Sequence, residues 1–267
     1  MSTATANDAA SRTTPPGDAG CSHTIVIPFY NEQGNVLNLL QDLEAVEKAQ
    51  GYRWEYVLVD DCGTDGTPAL LQQWAASRDR CAVIRMPGNQ GQAAALYAGL
   101  QKASTPWIIT LDGDGQNIPF DIPKLLALAD TTDMVVGIRA ERQDTWLRRI
   151  MSRWANGIRG KCLGDYMLDS GCALKVLDRR IVAALIPIRT LYSFMPAMAV
   201  AAGFRVAQTP VTHRPRTAGK SNYGFRVFCW YPLVDMIGML WYRKRCIHHP
   251  HSRPASEVPA RAPSGDR

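Results

Sequence analysis

Along this chain, short runs of consecutive apolar residues alternate with longer stretches in which apolar residues return every three or four positions. His23 to Pro28 is the first run. Asn31 is then expected to cap a helix in which Val36, Leu39, Leu40, Leu43 and Val46 recur at helical spacing. Glu55 to Asp60 predicts a second strand, followed by Gly-rich turn residues and a helix from about Thr67 to Ser77. Cys81 to Met86 predicts a third strand and Gln90 to Ala103 an Ala-rich helix. Trp107 to Asp112 predicts a fourth strand with a helix after Pro119, and Met134 to Gly137 a fifth strand. Runs of this kind, with helices between them, predict an α/β fold: a mostly parallel sheet with helices on both faces. Ligands in such sheets bind at the carboxyl ends of the strands. The polar clusters fall there, after Pro28 and at Asp60, Asp112 and Arg139.

Beyond Arg139 the pattern becomes helical, basic and aromatic, with no Gly/Ser-rich linker to mark a new domain. Ile181 to Phe204 is apolar, but Pro187, Arg189 and Pro196 are expected to break it into short helices. Phe225 to Tyr242 is apolar and aromatic and runs into Arg243, Lys244 and Arg245. As a helix, Val227 to Tyr242 would be about 24 Å long, short of the roughly 30 Å hydrocarbon core. It also holds Pro232 and Asp235. The segment 225–245 therefore reads as interfacial, lying among lipid headgroups, with a core-packing helix as the alternative. The expected organisation is a disordered lead-in over 1–20, one domain over 21–224, the interfacial segment, and a disordered basic tail over 246–267. The lead-in has no apolar core or positive cluster and does not read as a signal peptide.

The 267 residues carry a net charge of +6, and the excess is unevenly placed. From Arg179 to Val234 there are eight basic residues and no acidic one. Such a stretch suits phosphate or anionic lipid. Nucleic acid is not expected, because no zinc-finger spacing or single-strand-binding signature is present. The seven cysteines form no C-x-x-C pair, so free thiols in a reducing compartment are expected. Cys246, His248, His249 and His251 read as a polar tail before they read as a metal site.

The densest chemistry lies in W-I-I-T-L-D-G-D-G-Q-N, Trp107 to Asn117. A buried strand there delivers two carboxylates, Asp112 and Asp114, with Gly113 and Gly115 allowing close backbone approach. Two carboxylates and the Gln116 amide oxygen are hard ligands suited to Mg²⁺ or Mn²⁺. Few protein ligands leave positions for a substrate diphosphate. The alternative is a polar strand-to-helix turn.

Other phrases join it in order: V-I-P-F-Y-N-E (Val26 to Glu32), L-V-D-D-C-G-T-D-G-T (Leu58 to Thr67) and N-Q-G-Q-A-A-A (Asn89 to Ala95). After L-D-G-D-G-Q come D-S-G-C-A-L-K (Asp169 to Lys175) and H-R-P-R-T-A-G-K-S-N-Y-G (His213 to Gly224). Together they resemble the family 2 inverting glycosyltransferases of the nucleotide-diphospho-sugar transferase (GT-A-like) fold, and among those the dolichol- and polyprenyl-phosphate sugar transferases. The resemblance implies that Pro28, Tyr30 and Glu32 line the nucleotide pocket and that Leu58 and Asp60 contact base and ribose. It implies a metal and diphosphate site at Asp112, Asp114 and Gln116, and phosphate contacts from Arg139 and Arg216, with Lys220 in the same loop. In several relatives that lysine falls two residues later, where this chain has Asn222. Asp61 is expected to cap the next turn, and Cys62 departs from the Gly or Ser more usual in the family. Asp169 is expected to orient the sugar, to act as a base, or to cap the turn before a strand over Cys172 to Val176.

A hydroxyl acceptor needs a general base, whereas a phosphate acceptor is already an anion and needs cations to guide it. Hydroxyl-directed relatives carry an E-D pair and a Q-x-x-R-W motif. This chain has no Glu-Asp dipeptide, and its Arg153-Trp154 follows Ile150-Met151-Ser152. The resemblance thus implies transfer from a nucleotide-diphosphate sugar to a polyprenyl phosphate at the cytoplasmic face of a membrane, with a membrane-embedded partner possible. A saccharide hydroxyl acceptor with Asp169 as base, and a non-catalytic nucleotide-sugar or lipid binder, remain as alternatives. A dinucleotide oxidoreductase is not expected, since no G-x-G-x-x-G follows the first strand.

Overall fold

The computed structural model describes residues 21–139, 157, 159–160, 162–214 and 225–245. The expected lead-in and tail, Arg216 and Lys220 lie outside the described residues. Seven strands form one sheet in the order β3-β2-β1-β4-β6-β5-β7. They are β1 His23–Phe29, β2 Trp54–Asp60, β3 Cys81–Arg85, β4 Trp107–Thr110, β5 Met134–Arg139, β6 Lys175–Asp178 and β7 Val206–Val211. Strand β6 runs antiparallel to both neighbours, and the other pairings are parallel.

Strand alternation splits the core into two layers. Ile25, Ile27 and Phe29 of β1 face α1 (Val36–Gln50), α2 (Thr67–Ala75) and α4 (Ile122–Ala129). Val26, Val57, Val59 and Ile108 face α3 (Gln92–Lys102) and α5 (Leu191–Ala201) on the other side. The residues spaced for helix α1, Val36, Leu39, Leu40, Leu43 and Val46, are all buried. Helices thus cover both faces, as the apolar pattern predicts.

The structure revises four local expectations. Asn31 does not cap α1: its φ is 54°, and its side chain accepts a hydrogen bond from Thr64 N at 2.7 Å. Asn35 holds the N-cap position instead, after a turn closed by the Glu32 carbonyl. Pro196 lies inside α5 and does not break it. The ring removes one bond, to the Tyr192 carbonyl, while the helix buries Leu191, Phe194, Met195 and Met198. The strand expected at Cys172 to Val176 begins at Lys175, because Cys172 and the Asp169 carbonyl still belong to a turn. Finally, Phe225–Arg245 is one helix, α6, of 21 residues. That is about 32 Å at the helical rise. Even so, among the described residues no helix is long and apolar enough to cross a membrane.

Chain direction orients the second half. Strand β7 runs parallel to β5, so it starts at the sheet's amino edge, and α5 ends shortly before it. Helix α5 therefore begins near the carboxyl edge. There Thr190 Oγ1 donates to Asp235 Oδ2 at 2.5 Å, which ties α6 to that edge.

Candidate active site

At the carboxyl edge, the loops after β1 and β2 are laced together. Thr67 Oγ1 accepts from Glu32 N, Asp65 Oδ2 accepts from Gln33 N, and Gln33 Oε1 accepts from Gly66 N. Asp60 ends β2, and its Oδ1 accepts from Gly63 N at 2.9 Å. Its Oδ2 is buried with no hydrogen-bond donor among the described residues, and Arg85 Nε is 3.6 Å away. A buried carboxylate oxygen without a donor is costly, and an imino N–H or a ribose hydroxyl would satisfy it. Asp61 accepts from Gln90 N and Gly91 N, both at 2.8 Å, so it anchors the entry to α3. Cys62 has φ 60°, a backbone region that favours glycine. Pro28 pairs with Val59 near the end of β1, and Tyr30 is half-buried in the loop beyond. Glu32 turns its carboxylate to Asn35 Nδ2, at 2.6 Å. Leu58 is fully buried in the α1 layer, where its side chain packs the core.

Beyond β4 the chain passes over the end of β1. A Cβ on Gly113 would lie 2.4 Å from Phe29 Cδ1 and 2.8 Å from the Pro28 carbonyl, so only glycine lets the two loops meet. Gly115, at φ 71°, makes the turn. Asp114 Oδ1 accepts from Gln116 N, which closes it. Burial, reinforced by the Asp114 charge, pushes the Asp112 carboxyl up to about 7. Lys175, the Gln92 side chain and Arg139 act against that rise. Two carboxylates that repel one another at the mouth of a sheet are a site that a cation would relieve. No cage of three or more His, Cys, Asp or Glu side chains exists among the described residues. A site with two carboxylates suits an ion that shares its coordination with substrate phosphates.

Arg139 closes β5 and grips Asp169. Its Nε donates to Oδ2 at 2.7 Å and its Nη2 to Oδ1 at 2.8 Å, with the backbone N–H adding a third bond to Oδ2. The fork is bidentate and largely buried. Asp169 hydrogen bonding and charge raise the guanidinium pKa despite the opposing effect of burial. Asp169, expected to orient the sugar, act as a base or cap a turn, has both oxygens bonded to Arg139. The loop expected to carry Arg216 and Lys220 starts beside the two aspartates, where Arg214 N donates to the Gln116 carbonyl and His213 bridges Asn117.

Sequence reasoning missed three side chains around Asp112. Gln92, in the first turn of α3, donates to Asp112 Oδ1. Tyr192 on α5 lies within the field of Asp112, and burial, with that charge adding to it, raises its phenol pKa. Lys175 is 1% exposed and donates through Nζ to the Cys172 carbonyl. The N-Q-G-Q and D-S-G-C-A-L-K phrases contained Gln92 and Lys175, but nothing local distinguishes them from helix-surface and strand residues.

Comparison with known proteins bears directly on this arrangement. Residues 24–183 match the family described as Glycosyl transferase family 2. An undecaprenyl-phosphate 4-deoxy-4-formamido-L-arabinose transferase of Edwardsiella ictaluri is 37% identical over 84% of this chain and 67% of its own length. The enzyme of that name from Pseudomonas paraeruginosa is 38% identical over 75% of this chain and 60% of its own. The chain thus spans about three-fifths to two-thirds of these relatives. Glucosyl-3-phosphoglycerate synthase from Mycobacterium tuberculosis, solved with Mn²⁺, UDP-glucose and phosphoglyceric acid, is similar in fold. Its TM-score is 0.60 at 15% identity, covering 86% of this chain and 85% of that one. Fold, site and sequence agree, and the chain belongs to glycosyl transferase family 2.

Proposed function

We propose that the protein transfers a sugar, with inversion, from a nucleotide diphosphate to a polyprenyl phosphate at the cytoplasmic face of a membrane. The observation that carries the choice of acceptor is the Arg139–Asp169 fork. Asp169 is the carboxylate considered for a base, and both of its oxygens are occupied by the guanidinium. Taking a proton would require breaking that fork. A phosphate acceptor asks for no proton transfer. The names of the two bacterial relatives, which act on undecaprenyl phosphate, support the same reading.

In this reading the Asp60 Oδ2 accepts from the base or ribose, and the loops after β1 and β2 hold the nucleoside. Asp112 and Asp114, with Gln116 beside them, hold Mg²⁺ or Mn²⁺, which when bound supplies Lewis-acid neutralisation of the departing diphosphate. An oxygen of the acceptor phosphate attacks the anomeric carbon from the side opposite the diphosphate. The new C–O bond forms as the bond to the diphosphate oxygen breaks, which inverts the centre. Arg139, fixed by Asp169, offers its remaining N–H groups to phosphate, and Arg216 and Lys220 are proposed to join it.

Helix α6 would hold the enzyme at the bilayer. Val234, Ile237 and Trp241 are exposed along one face, with Lys244 and Arg245 exposed at the end, while Met239 packs into the core. An apolar stripe ending in Trp and two cations suits an anionic headgroup layer. A membrane-embedded partner would sit on the same side.

The test is a transfer assay with purified protein, Mn²⁺ or Mg²⁺, radiolabelled nucleotide sugars and a short-chain polyprenyl phosphate. Label in the organic phase that disappears with EDTA is the expected result. Label on an added saccharide, with none in lipid, would overturn the acceptor and return Asp169 to the role of base. No transfer to either acceptor would favour a binding protein.

A further inference from the structure

Lys175 is a full-length lysine with no route to solvent, and the chemistry proposed above makes no use of it. Its position follows from strand direction. Because β6 is antiparallel, its first residue enters the sheet at the edge where β4 and β5 end. There Lys175 pairs with Thr110, two residues before Asp112, and with Val136, three before Arg139. Alternation puts its side chain on the face of Leu177, the α3 and α5 side, from which Gln92 also reaches Asp112. Burial lowers the Lys175 pKa, while the charges of Asp112 and Asp169 act to keep the ammonium, whose Nζ donates to the Cys172 carbonyl.

A lone buried ammonium is expensive, and an apolar residue of the same volume commonly serves a core at least as well. The surroundings supply a reason for it. With every group ionised, Asp112, Asp114 and Asp169 bring three negative charges to the edge and Arg139 and Lys175 two positive ones, which leaves one net negative charge. A divalent ion then finds only weak net attraction until a nucleotide diphosphate arrives with it. Without Lys175 the net charge would be two negative, and the ion would be held tightly by the empty protein.

We propose that Lys175 is a positioning residue that sets the charge of the metal site, holding down affinity for the bare divalent ion so that ion and diphosphate bind and leave together. The proposal rests on the reading that Asp112 and Asp114 hold the ion. It concerns the full chain and needs no assumption about the acceptor.

The probe is Mn²⁺ alone, titrated into the full-length protein by electron paramagnetic resonance, with folding checked by circular dichroism. Two neutral replacements are compared. Lys175→Gln keeps a donor for the Cys172 carbonyl, and Lys175→Met keeps the length of the stem. Either should bind Mn²⁺ on the order of tenfold more tightly than wild type, while kcat for transfer falls. Disrupted packing would weaken both properties together, so opposite movements identify an effect of charge. Lys175→Arg keeps the charge and should bind Mn²⁺ within about twofold of wild type. Unchanged or weaker Mn²⁺ binding in the neutral variants would overturn the proposal, as would equal tightening in the Arg variant. Failure of both neutral variants to fold would make Lys175 a structural residue and overturn it too. No Mn²⁺ binding by the wild-type protein would fail the metal reading itself, and the role of Lys175 with it.

Discussion

His23 and Asp112, at opposite edges of the sheet, answer burial in opposite ways. At the amino edge, His23 opens β1 fully buried, with Ser22 Oγ 2.7 Å from Nδ1, Tyr52 beside the ring and, among the described residues, no hydrogen-bond partner for Nε2. Burial lowers its pKa to about 4, so the folded protein keeps it neutral and the edge carries no charge there. At the carboxyl edge, burial raises Asp112 to about 7, and the neighbours are charged groups: Asp114, Lys175 and Arg139. At the start of β1 burial is answered by discarding charge and packing rings, while Asp133, farther along the same edge, is paired with Arg205 and Arg180. The carboxyl edge accumulates charge that only a ligand completes. The difference teaches where function lies, because a fold under pressure for stability alone would treat both edges like the first.

The largest expected effect comes from taking one carboxylate off the charged edge. Asp114→Asn should lower transfer on the order of 10³-fold while leaving the melting temperature nearly unchanged, since Asp114 belongs to the ligand site and not to the core. A variant that retains most of its activity would remove the functional meaning of that edge. Next in size is the fork. Arg139→Lys loses the bidentate geometry and should cost about 10²-fold, and Asp169→Asn should cost a similar amount. The double variant should be little worse than either alone, because the two residues act as a unit. If Asp169 were instead a base, Asp169→Asn would erase an acidic limb of the pH–rate profile that Arg139→Lys leaves in place.

The amino edge yields the third prediction. His23 has its ordinary pKa of 6.5 when unfolded and about 4 when folded, so the unfolded chain binds the proton first. Its contribution to stability is therefore complete above pH 6.5 and is lost as pH falls from 6.5 towards 4. The loss amounts to about 2 kcal/mol at pH 5, at ~1.4 kcal/mol per pH unit. Urea unfolding at pH 7 and pH 5 checks this: His23→Leu should remove about that much of the acid sensitivity. An unchanged pH dependence would mean that His23 is not held neutral, and the contrast between the edges would weaken.

Much of the fold was legible because it is local. Five apolar runs marked five of the six described strands that run in one direction, β7 (Val206–Val211) being missed, and the ends of those runs marked the polar edge. The D-x-D turn announced itself through two carboxylates spaced by glycine. What escaped depends on partners far along the chain. Lys175 reads as an ordinary strand residue until β6 inserts antiparallel beside β4 and carries it beneath Asp112. Asn31 reads as a cap by residue type, but its Oδ1 accepts from Thr64 N, 33 residues away, and Asn35 takes the N-cap position with no side-chain cap bond. Leu58 and Asp60 share one face of β2, and depth separates them: Leu58 packs in the α1 layer, whereas Asp60 ends the strand at the edge.

The smallest expected effect concerns what lies beyond the charged edge. The Thr190–Asp235 hydrogen bond fastens α6 near the start of α5, on the same side of the sheet as Asp112. Trp241, 65% exposed, then follows Asp235 by six residues and precedes Lys244 and Arg245. A lipid phosphate reaching the site would therefore come from a bilayer already in contact with this helix. Sedimentation with vesicles containing anionic lipid should show Trp241→Ala binding several-fold more weakly, and Lys244→Gln with Arg245→Gln should act through salt-sensitive attraction of about 1 kcal/mol per charge. Both variants should keep transfer to a short-chain acceptor in detergent, where no surface has to be found. Loss of activity in detergent as well would mean that α6 builds the site itself, and the charged edge would then extend onto the helix.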